Sequence, residues 1–274
     1  MTQVFKFLLV LLTSVCSAAE YCYFTPPQGW DMTDPKALPF HTKVCFIGKS
    51  SKPLRPSVNL SVEETPVTLK RYLDAVKNNN KADPNRNWRD LGKFTTPLGE
   101  GRLTEIEVKT EVGMVRQVQL IVLKDKIAYI LTAASLKEEF SKHYQTFEKV
   151  LHSLNMTQNF PATLSQESQR IVLQELIDKV EDDFEKSYHQ MTLRKQLADS
   201  MTRQFFARLS LAPFCKESTP LDPEDVLHSI SFQQETWLPF QEKIINDFTE
   251  KGPYWQSLLL SDILTKLLTK VSYE

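Results

Sequence analysis

Histidine and cysteine are among the side chains with which this chain could bind a metal or attack a substrate, and it contains 5 histidines and 4 cysteines. The histidines are His41, His143, His152, His189 and His228. No two of them have the spacing of a helical zinc motif, and the chain has no phosphate-binding glycine loop and no serine nucleophile elbow. We therefore expect no catalytic residue, no cofactor and no metal ligand.

Cys45 and His41 suggest a thiol nucleophile with a nearby base. Residues at positions i and i+4 of a strand are about 13 Å apart, which is beyond hydrogen-bond reach, so we interpret Cys45 as structural. The acidic run at residues 181–185 is flanked by lysines and is interpreted as a solvated helix face. An enzyme with an unrecognised site stays an open alternative.

Residues 1–19 have the pattern of a secretory signal peptide. Lys6 is followed by an apolar run, and Ser17 and Ala19 supply the small residues of a cleavage site. The run is shorter than the roughly 20 residues that span a bilayer. We expect cleavage after Ala19 and an exported protein, periplasmic or secreted. A lipoprotein anchored through Cys16 is the alternative, which Val15 disfavours because a lipobox needs a small residue there.

The overall composition is that of an ordinary globular chain. Hydrophobic residues make up 41%, charged residues 24%, and the net charge is −1 at pH 7. This balance supplies no overall attraction for nucleic acid or for an anionic membrane, so we expect no nucleic-acid partner. No later apolar run approaches the length of a bilayer span, so we expect no transmembrane span in the mature chain.

In the first region, residues 20–156, short segments predominate in which hydrophobic residues recur with the period of β-strands. In residues 102–110, Thr104, Ile106 and Val108 alternate with charged residues, which predicts one buried and one solvent-facing side. Turn residues follow this segment and the next, so the last three strands are predicted to form an antiparallel meander. Strands are predicted at residues 43–48, 57–62, 102–110, 115–123 and 127–132, helices at 65–77 and 135–154, and a polar loop at 78–87.

In the second region, residues 164–274, hydrophobic residues recur only at the three- and four-residue spacing of helices. A short linker at 157–163 precedes this region. It opens with one very long helix, or two joined near Gln190. Asp222 is a predicted N-cap, because proline and acidic residues follow it. Gly252 and Pro253 separate the last two helices.

The last predicted helix, residues 254–271, has an apolar side that is wider than packing against one neighbouring helix requires. Trp255, Leu259, Ile263 and Leu267 are its candidate interaction face. Two interpretations stay open: the central helix of a bundle, or a face that binds a protein or a lipid chain.

Short motifs in the first region occur in a recognisable order. They are PQGW at 27–30, VCFIG at 44–48, PSVNLSV at 56–62, TLKRYL at 68–73, GEGRL at 99–103, IAYILTA at 127–133 and FEKVLHSL at 147–154. This order resembles the PsbP-like superfamily, which includes PsbP of photosystem II, the nuclear transport factor Mog and the envelope lipoprotein DcrB. The resemblance covers residues 21–156. It implies an α+β fold, an α/β/α sandwich with an antiparallel sheet, here followed by an all-α C-terminal domain.

The same resemblance puts Cys22 and Cys45 on the first two strands, which we expect to be neighbours, and export would allow the two thiols to form a disulfide. Reduced, buried thiols are the alternative, and Cys215 is expected to stay unpaired.

The resemblance implies binding or assembly work and does not imply a reaction. We therefore expect an exported, non-catalytic binding or assembly protein of the bacterial envelope or extracellular space, with an unknown protein partner. The alternative is a carrier of an apolar or lipid ligand bound between the domains.

The intact mass of the exported protein tests the N-terminal prediction. We expect a mature chain that begins at Glu20, because Ser17 and Ala19 fit the cleavage site. A chain that begins at an acylated Cys16 would contradict it.

Overall fold

The computed structural model describes residues 20–208 and 219–270. The predicted signal peptide, Cys16 and Cys215 lie outside these residues. The first region contains the strands β1 (Tyr21–Tyr23), β2 (Asp31–Met32), β3 (Thr42–Ile47), β4 (Ser57–Glu64), β5 (Arg86–Thr96), β6 (Gly99–Thr110), β7 (Gly113–Lys124), β8 (Ile127–Leu136) and β9 (Asn155–Thr157) and the helices α1 (Leu69–Lys81) and α2 (Phe140–His152). The second contains α3 (Glu167–Arg208), α4 (Pro223–Leu227), α5 (Ile230–Phe232), α6 (Leu238–Asp247) and α7 (Gly252–Lys270).

Seven of the strands form an antiparallel sheet in the order β2-β3-β4-β8-β7-β6-β5. Tight turns join β5 to β8 as a meander, which confirms the predicted hairpins. Asp125 and Lys126 connect β7 to β8 with positive φ angles of 50° and 64°. A two-residue turn with both residues in this region matches the twist of the strands that it joins.

The sheet lies between two helices. On one face, Phe140, Phe147, Val150 and Leu151 of α2 pack against the inward residues of β3, β4, β7 and β8. On the other face, residues of α1 pack against Ile121, Ala128 and Ile130. The predicted α+β fold, an α/β/α sandwich followed by helices, is therefore confirmed.

Three predicted elements have different bounds in the structure. The predicted loop at 78–87 contains the end of α1 and the start of β5. Helix α1 begins after Thr68, whose side chain accepts a hydrogen bond from the Arg71 amide. The predicted start of the second helix at Ser135 is wrong, because Ser135 is buried in β8 and α2 begins only at Phe140.

The helical region begins with one continuous helix, α3, of 42 residues. The Asp222 side chain caps α4, accepting a hydrogen bond from the Glu224 amide at 3.0 Å, as predicted. Gln256 of α7 donates from its buried amide to the carbonyl oxygens of Ile244 and Phe248 at 3.1 and 3.0 Å. These carbonyls lie at the end of α6, where a helix leaves such groups without partners.

The candidate interaction face on α7 is not a surface. Trp255, Leu259, Ile263 and Leu267 are all 0% exposed and form the centre of the helical core. Residues of α3, α4 and α6 surround them, including Leu173, Val226 and Ile244. This arrangement agrees with the central-helix interpretation, and the four side chains are not available to an external partner.

Strand β1 contributes to both hydrophobic cores. Tyr21 and Tyr23 pack with the helical core, whereas Cys22 and Phe24 belong to the core between the sheet and α2. Its backbone pairs with β9 in a separate two-stranded ribbon. The predicted linker at 157–163 continues from this ribbon and buries Phe160 in the helical core. The domain boundary stays a prediction.

Replacing Trp255 with alanine tests the assignment of α7 to the core. The indole Nε1 donates to Thr163 Oγ1 at 3.1 Å, and the ring packs edge-on against Phe160. We expect the free energy of unfolding in urea to fall by about 3–5 kcal/mol. Ile230→Ala, at a position that is 75% exposed, is the control and should change it by less than about 0.5 kcal/mol. Equal, small effects would contradict the assignment.

Candidate functional site

A cleft of about 470 Å³ lies between α2 and the strands β5, β6 and β7. Most of its wall is apolar or aromatic, and its polar groups are largely charged. The apolar side chains are Leu91, Phe94, Leu103, Val118, Phe140, Tyr144, Phe147 and Leu151, and the polar ones are Glu105, Arg116, Lys137, Ser141 and Glu148. Apolar walls with a few polar groups are typical of small-molecule sites.

Strand alternation builds the sheet side of the cleft. Leu103 and Glu105 of β6 point to the same face, and Glu105 is paired across the sheet with Val118 of β7. A β-bulge in β5 places Leu91 at the rim. Leu91 is 45% exposed and Tyr144 of α2 is 54% exposed, so the rim presents apolar surface to solvent.

A network of ion pairs lies at one end of the cleft. Glu105 pairs with Arg89 and Arg116, and its side chain is only 7% exposed. Glu107 accepts hydrogen bonds from Arg116 Nη2 and Lys137 Nζ, both at 2.8 Å. The Arg116 guanidinium also lies 5.5 Å from the centre of the Phe140 ring. Arg116 therefore joins both carboxylates to the aromatic wall.

The electrostatics of this network favour the ionised form of Glu107. Hydrogen bonds from Lys137 and then Arg116 outweigh the effect of burial and hold the pKa of Glu107 below its usual value. A general acid or base for reactions at neutral pH needs a pKa near 7. Glu107 is therefore suited to holding charge in place rather than to transferring protons.

The alternation of residues in β6 predicts that its charged side faces solvent, and this prediction is wrong. Glu105 is buried and Glu107 is half-buried, because α2 covers this face and basic residues pair with both acids. The turn between β6 and β7 could have predicted that Glu107 has a basic partner. Pairing of Thr110 with Gly113 places Glu107 opposite Arg116, an opposite-charge pair that is typical of neighbouring strands.

The two histidines of α2 contact aromatic rings. His143 packs edge-on against Trp30, and His152 stacks on Phe94 at the end of the cleft, with 4.2 Å between ring centres. Within residues 20–208 and 219–270, no group of three or more histidine, cysteine or acidic side chains could hold a metal ion. In the acidic run of α3, Asp183 pairs with Lys179 and Lys186.

The expected pairing of Cys22 with Cys45 is not found, and both thiols are free. Their strands are not neighbours, because β1 pairs with β9 whereas β3 pairs with β2 and β4. Cys22 lies in the core on the α2 side of the sheet with Val44 and Phe46. Cys45 lies between these two in β3, so its side chain points to the opposite face. The expectation of adjacent strands is therefore wrong.

Burial raises the pKa of both thiols, that of Cys22 to about 12. Thiols with raised pKa values are poor nucleophiles at neutral pH. The interpretation of Cys45 as a structural residue agrees with this direction.

A second cavity, of about 450 Å³, lies between the two regions, where the carrier alternative placed its ligand. Residues 25–30 form one side, and Thr249, Glu250, Gly252 and Pro253 form the other. Gly252 has φ +83°, and a Cβ there would lie 2.5 Å from Pro26 Cγ. The two regions therefore meet closely at this point. Proline and polar groups make up much of this cavity, so the cleft below α2 is the better apolar site.

Comparison with known proteins finds similar structures and no similar sequence. No protein-family model and no curated protein matches the chain. LpqN, involved in cell envelope biogenesis of Mycobacterium tuberculosis, is 13% identical with a TM-score of 0.41, and the match covers 51% of this chain and 85% of LpqN. A Pseudomonas aeruginosa protein of unknown function is 12% identical with a TM-score of 0.36, covering 46% and 95% of the two chains.

The cyanobacterial PsbP of Synechocystis is also among the similar structures. It is 14% identical with a TM-score of 0.35, and the match covers 53% of this chain and 96% of PsbP. These similar structures include a PsbP protein, from the family that the sequence motifs resemble, and they carry no activity or partner to this chain.

Replacing Glu107 with glutamine tests the ion-pair network. A carboxyl whose pKa is lowered by folding stabilises the protein at pH values above its ordinary pKa of 4.5. This contribution to the free energy of unfolding is lost as the pH falls through the pKa of the folded state. We expect Glu107→Gln to lower the free energy of unfolding at neutral pH by about 1–3 kcal/mol. When the pH is lowered below 4.5, the variant should also lose less stability than the wild type.

The matched control is Glu100→Gln, since Glu100 pairs with Lys93 at the exposed end of β6. Its unfolding should follow the wild type at every pH. A Glu107→Gln variant with the wild-type dependence on pH would show that the network contributes nothing measurable.

Proposed function

We propose that this chain is an exported, non-catalytic protein that binds or assembles partners, and that the cleft below α2 holds an apolar group of the partner. Export rests on the signal-peptide pattern of residues 1–19. The bacterial envelope or the extracellular space is the proposed place of action.

The observation that carries the proposal is the combination of apolar walls and paired charges in one open cleft. Phe94 and Leu103, both half-buried, supply apolar contact surface, and Leu91 and Tyr144 extend it to the rim. An apolar group that enters the cleft removes this surface from water, which favours binding in proportion to the area covered. The ion pairs at one end orient a ligand that also has polar atoms.

Binding explains the charged groups better than catalysis does. Glu105 and Glu107 each have two basic partners, so neither is free to accept a substrate proton. The lowered pKa of Glu107 points in the same direction. An enzyme stays the weaker alternative for these reasons.

A second candidate function is that of a carrier for an apolar or lipid ligand. The size of the cleft favours it, because about 470 Å³ lies within the range of roughly 300–1,000 Å³ that small-molecule sites occupy. In this case the ligand would lie below α2 rather than between the two regions.

A fluorescent, uncharged apolar probe, Nile red, tests the cleft. We expect the double variant Leu91→Glu/Tyr144→Glu to lower the affinity for this probe by roughly tenfold or more, because an apolar ligand cannot satisfy charges placed at the rim. Both positions are exposed, so the fold should be retained. The matched control is Ile230→Glu/Ile245→Glu, two exposed apolar positions in the helical region, which should bind like the wild type.

Equal affinity of the wild type and the cleft variant would contradict the proposal. Extraction of the purified protein, followed by mass spectrometry, distinguishes the two candidate functions. A stoichiometric apolar compound in the wild type, absent from the cleft variant, supports the carrier. A wild type that binds the probe and yields no compound supports the partner-binding function.

A further inference from the structure

One side of the C-terminal half of α3 is not covered by the hydrophobic cores of the residues that the structure describes. In the first half of the helix, Leu173, Ile177 and Phe184 are buried in the helical core. Farther along, Tyr188 donates its hydroxyl to the Leu221 carbonyl at 3.2 Å, and Lys195 Nζ lies 3.3 Å from the Pro220 carbonyl oxygen. The returning chain therefore packs along one side of this half.

An apolar stripe lies on the opposite side. Leu193, Leu197 and Met201 are 51%, 63% and 64% exposed. Successive residues at this spacing are displaced by only about 40° around a helix, so they form one row. The direction of Tyr188 and Lys195 is roughly 180° away from this row. The three side chains therefore face solvent.

Arginines surround the stripe. Arg194 and Arg203 flank it on either side, and Arg208 continues it at the end of the helix. All three are exposed, and none has an ion-pair partner within 4.0 Å among the residues that the structure describes. Asp199 is the acid between Leu193 and Arg208, and it lies on the packed side with Lys195.

We propose that residues 193–208 bind the surface of an anionic lipid bilayer. Leu193, Leu197 and Met201 would enter the boundary of the acyl chains, and the arginines would contact the lipid phosphates. An apolar stripe flanked by basic residues is the pattern of helices that lie in a membrane interface. In the described part of the chain, no helix is long and apolar enough to cross a membrane.

Charge complementarity favours a bilayer over a second copy of the chain. Antiparallel packing of residues 193–208 of two copies would leave the arginines without an acidic partner in this segment, because its acid, Asp199, lies on the packed side. The contact between the two copies would then be flanked by unpaired arginines, and like charges close together are destabilising. An anionic surface instead attracts each arginine. Because the net charge of the whole chain is −1, this attraction comes from the arginines beside the stripe and not from the chain as a whole.

Sedimentation of the mature chain, residues 20–274, with lipid vesicles tests the inference. We expect binding to phosphatidylcholine vesicles that contain phosphatidylglycerol, little binding to phosphatidylcholine alone, and loss of binding at high salt. Leu197→Glu/Met201→Glu and Arg194→Gln/Arg203→Gln should each weaken binding by roughly tenfold or more. Ile230→Glu is the matched control, because it replaces an exposed apolar residue elsewhere, and it should bind like the wild type.

Circular dichroism of each variant verifies that the helices are retained. Absence of wild-type binding to the anionic vesicles, or equal binding by the stripe variants, would overturn the inference. A dimer in light scattering that Leu197→Glu/Met201→Glu converts to a monomer would also overturn it, in favour of self-association. The inference is independent of the cleft, so Leu91→Glu/Tyr144→Glu should bind vesicles normally.

Discussion

The burial of strand β1 on both of its faces is the constraint on which the rest of the structure depends. Side chains alternate along a strand, so Tyr21 and Tyr23 enter the helical core while Cys22 and Phe24 enter the core below α2. A shift of one residue would exchange the two sets and place each in the wrong core. Pairing with β9 fixes the register and holds the start of the described chain against the segment that leads to α3.

The cleft follows from the way in which α2 covers the sheet. Its aromatic residues pack over β6 and β7, where Glu105 and Glu107 occupy positions that would be apolar in a uniform core. Charges at such positions must be paired, since an isolated buried charge is strongly destabilising. Arg89, Arg116 and Lys137 meet this requirement, and they give the cleft one polar end. The same pairing suits the site to holding a ligand in one orientation.

The sequence predicts the parts of this fold that depend on local patterns. The turns at Gly113 and at Asp125 determine the meander, and the helical period of residues 254–271 indicates the buried residues of α7. Strand β5 was not predicted, because charged residues and a bulge near Gly92 interrupt its alternation.

The site depends on contacts between elements that are distant in the chain, and local patterns do not reveal these. Glu105 looks like a solvent-facing residue until α2 is placed over it. The direction of Cys45 likewise depends on which face of the sheet the neighbouring Val44 and Phe46 occupy. The breadth of the apolar side of α7 is compatible with burial and with binding, and only the positions of α3, α4 and α6 decide between them.

The central claim is that the cleft below α2 binds an apolar group, and nuclear Overhauser effects from a bound apolar probe test it most directly. Methyl groups of Leu103 and Val118 line the cleft, whereas Thr25 and Thr249 line the cavity between the two regions. The account predicts intermolecular effects to the methyl groups of Leu103 and Val118. Effects confined to Thr25 and Thr249 would contradict it and place the binding site between the two regions.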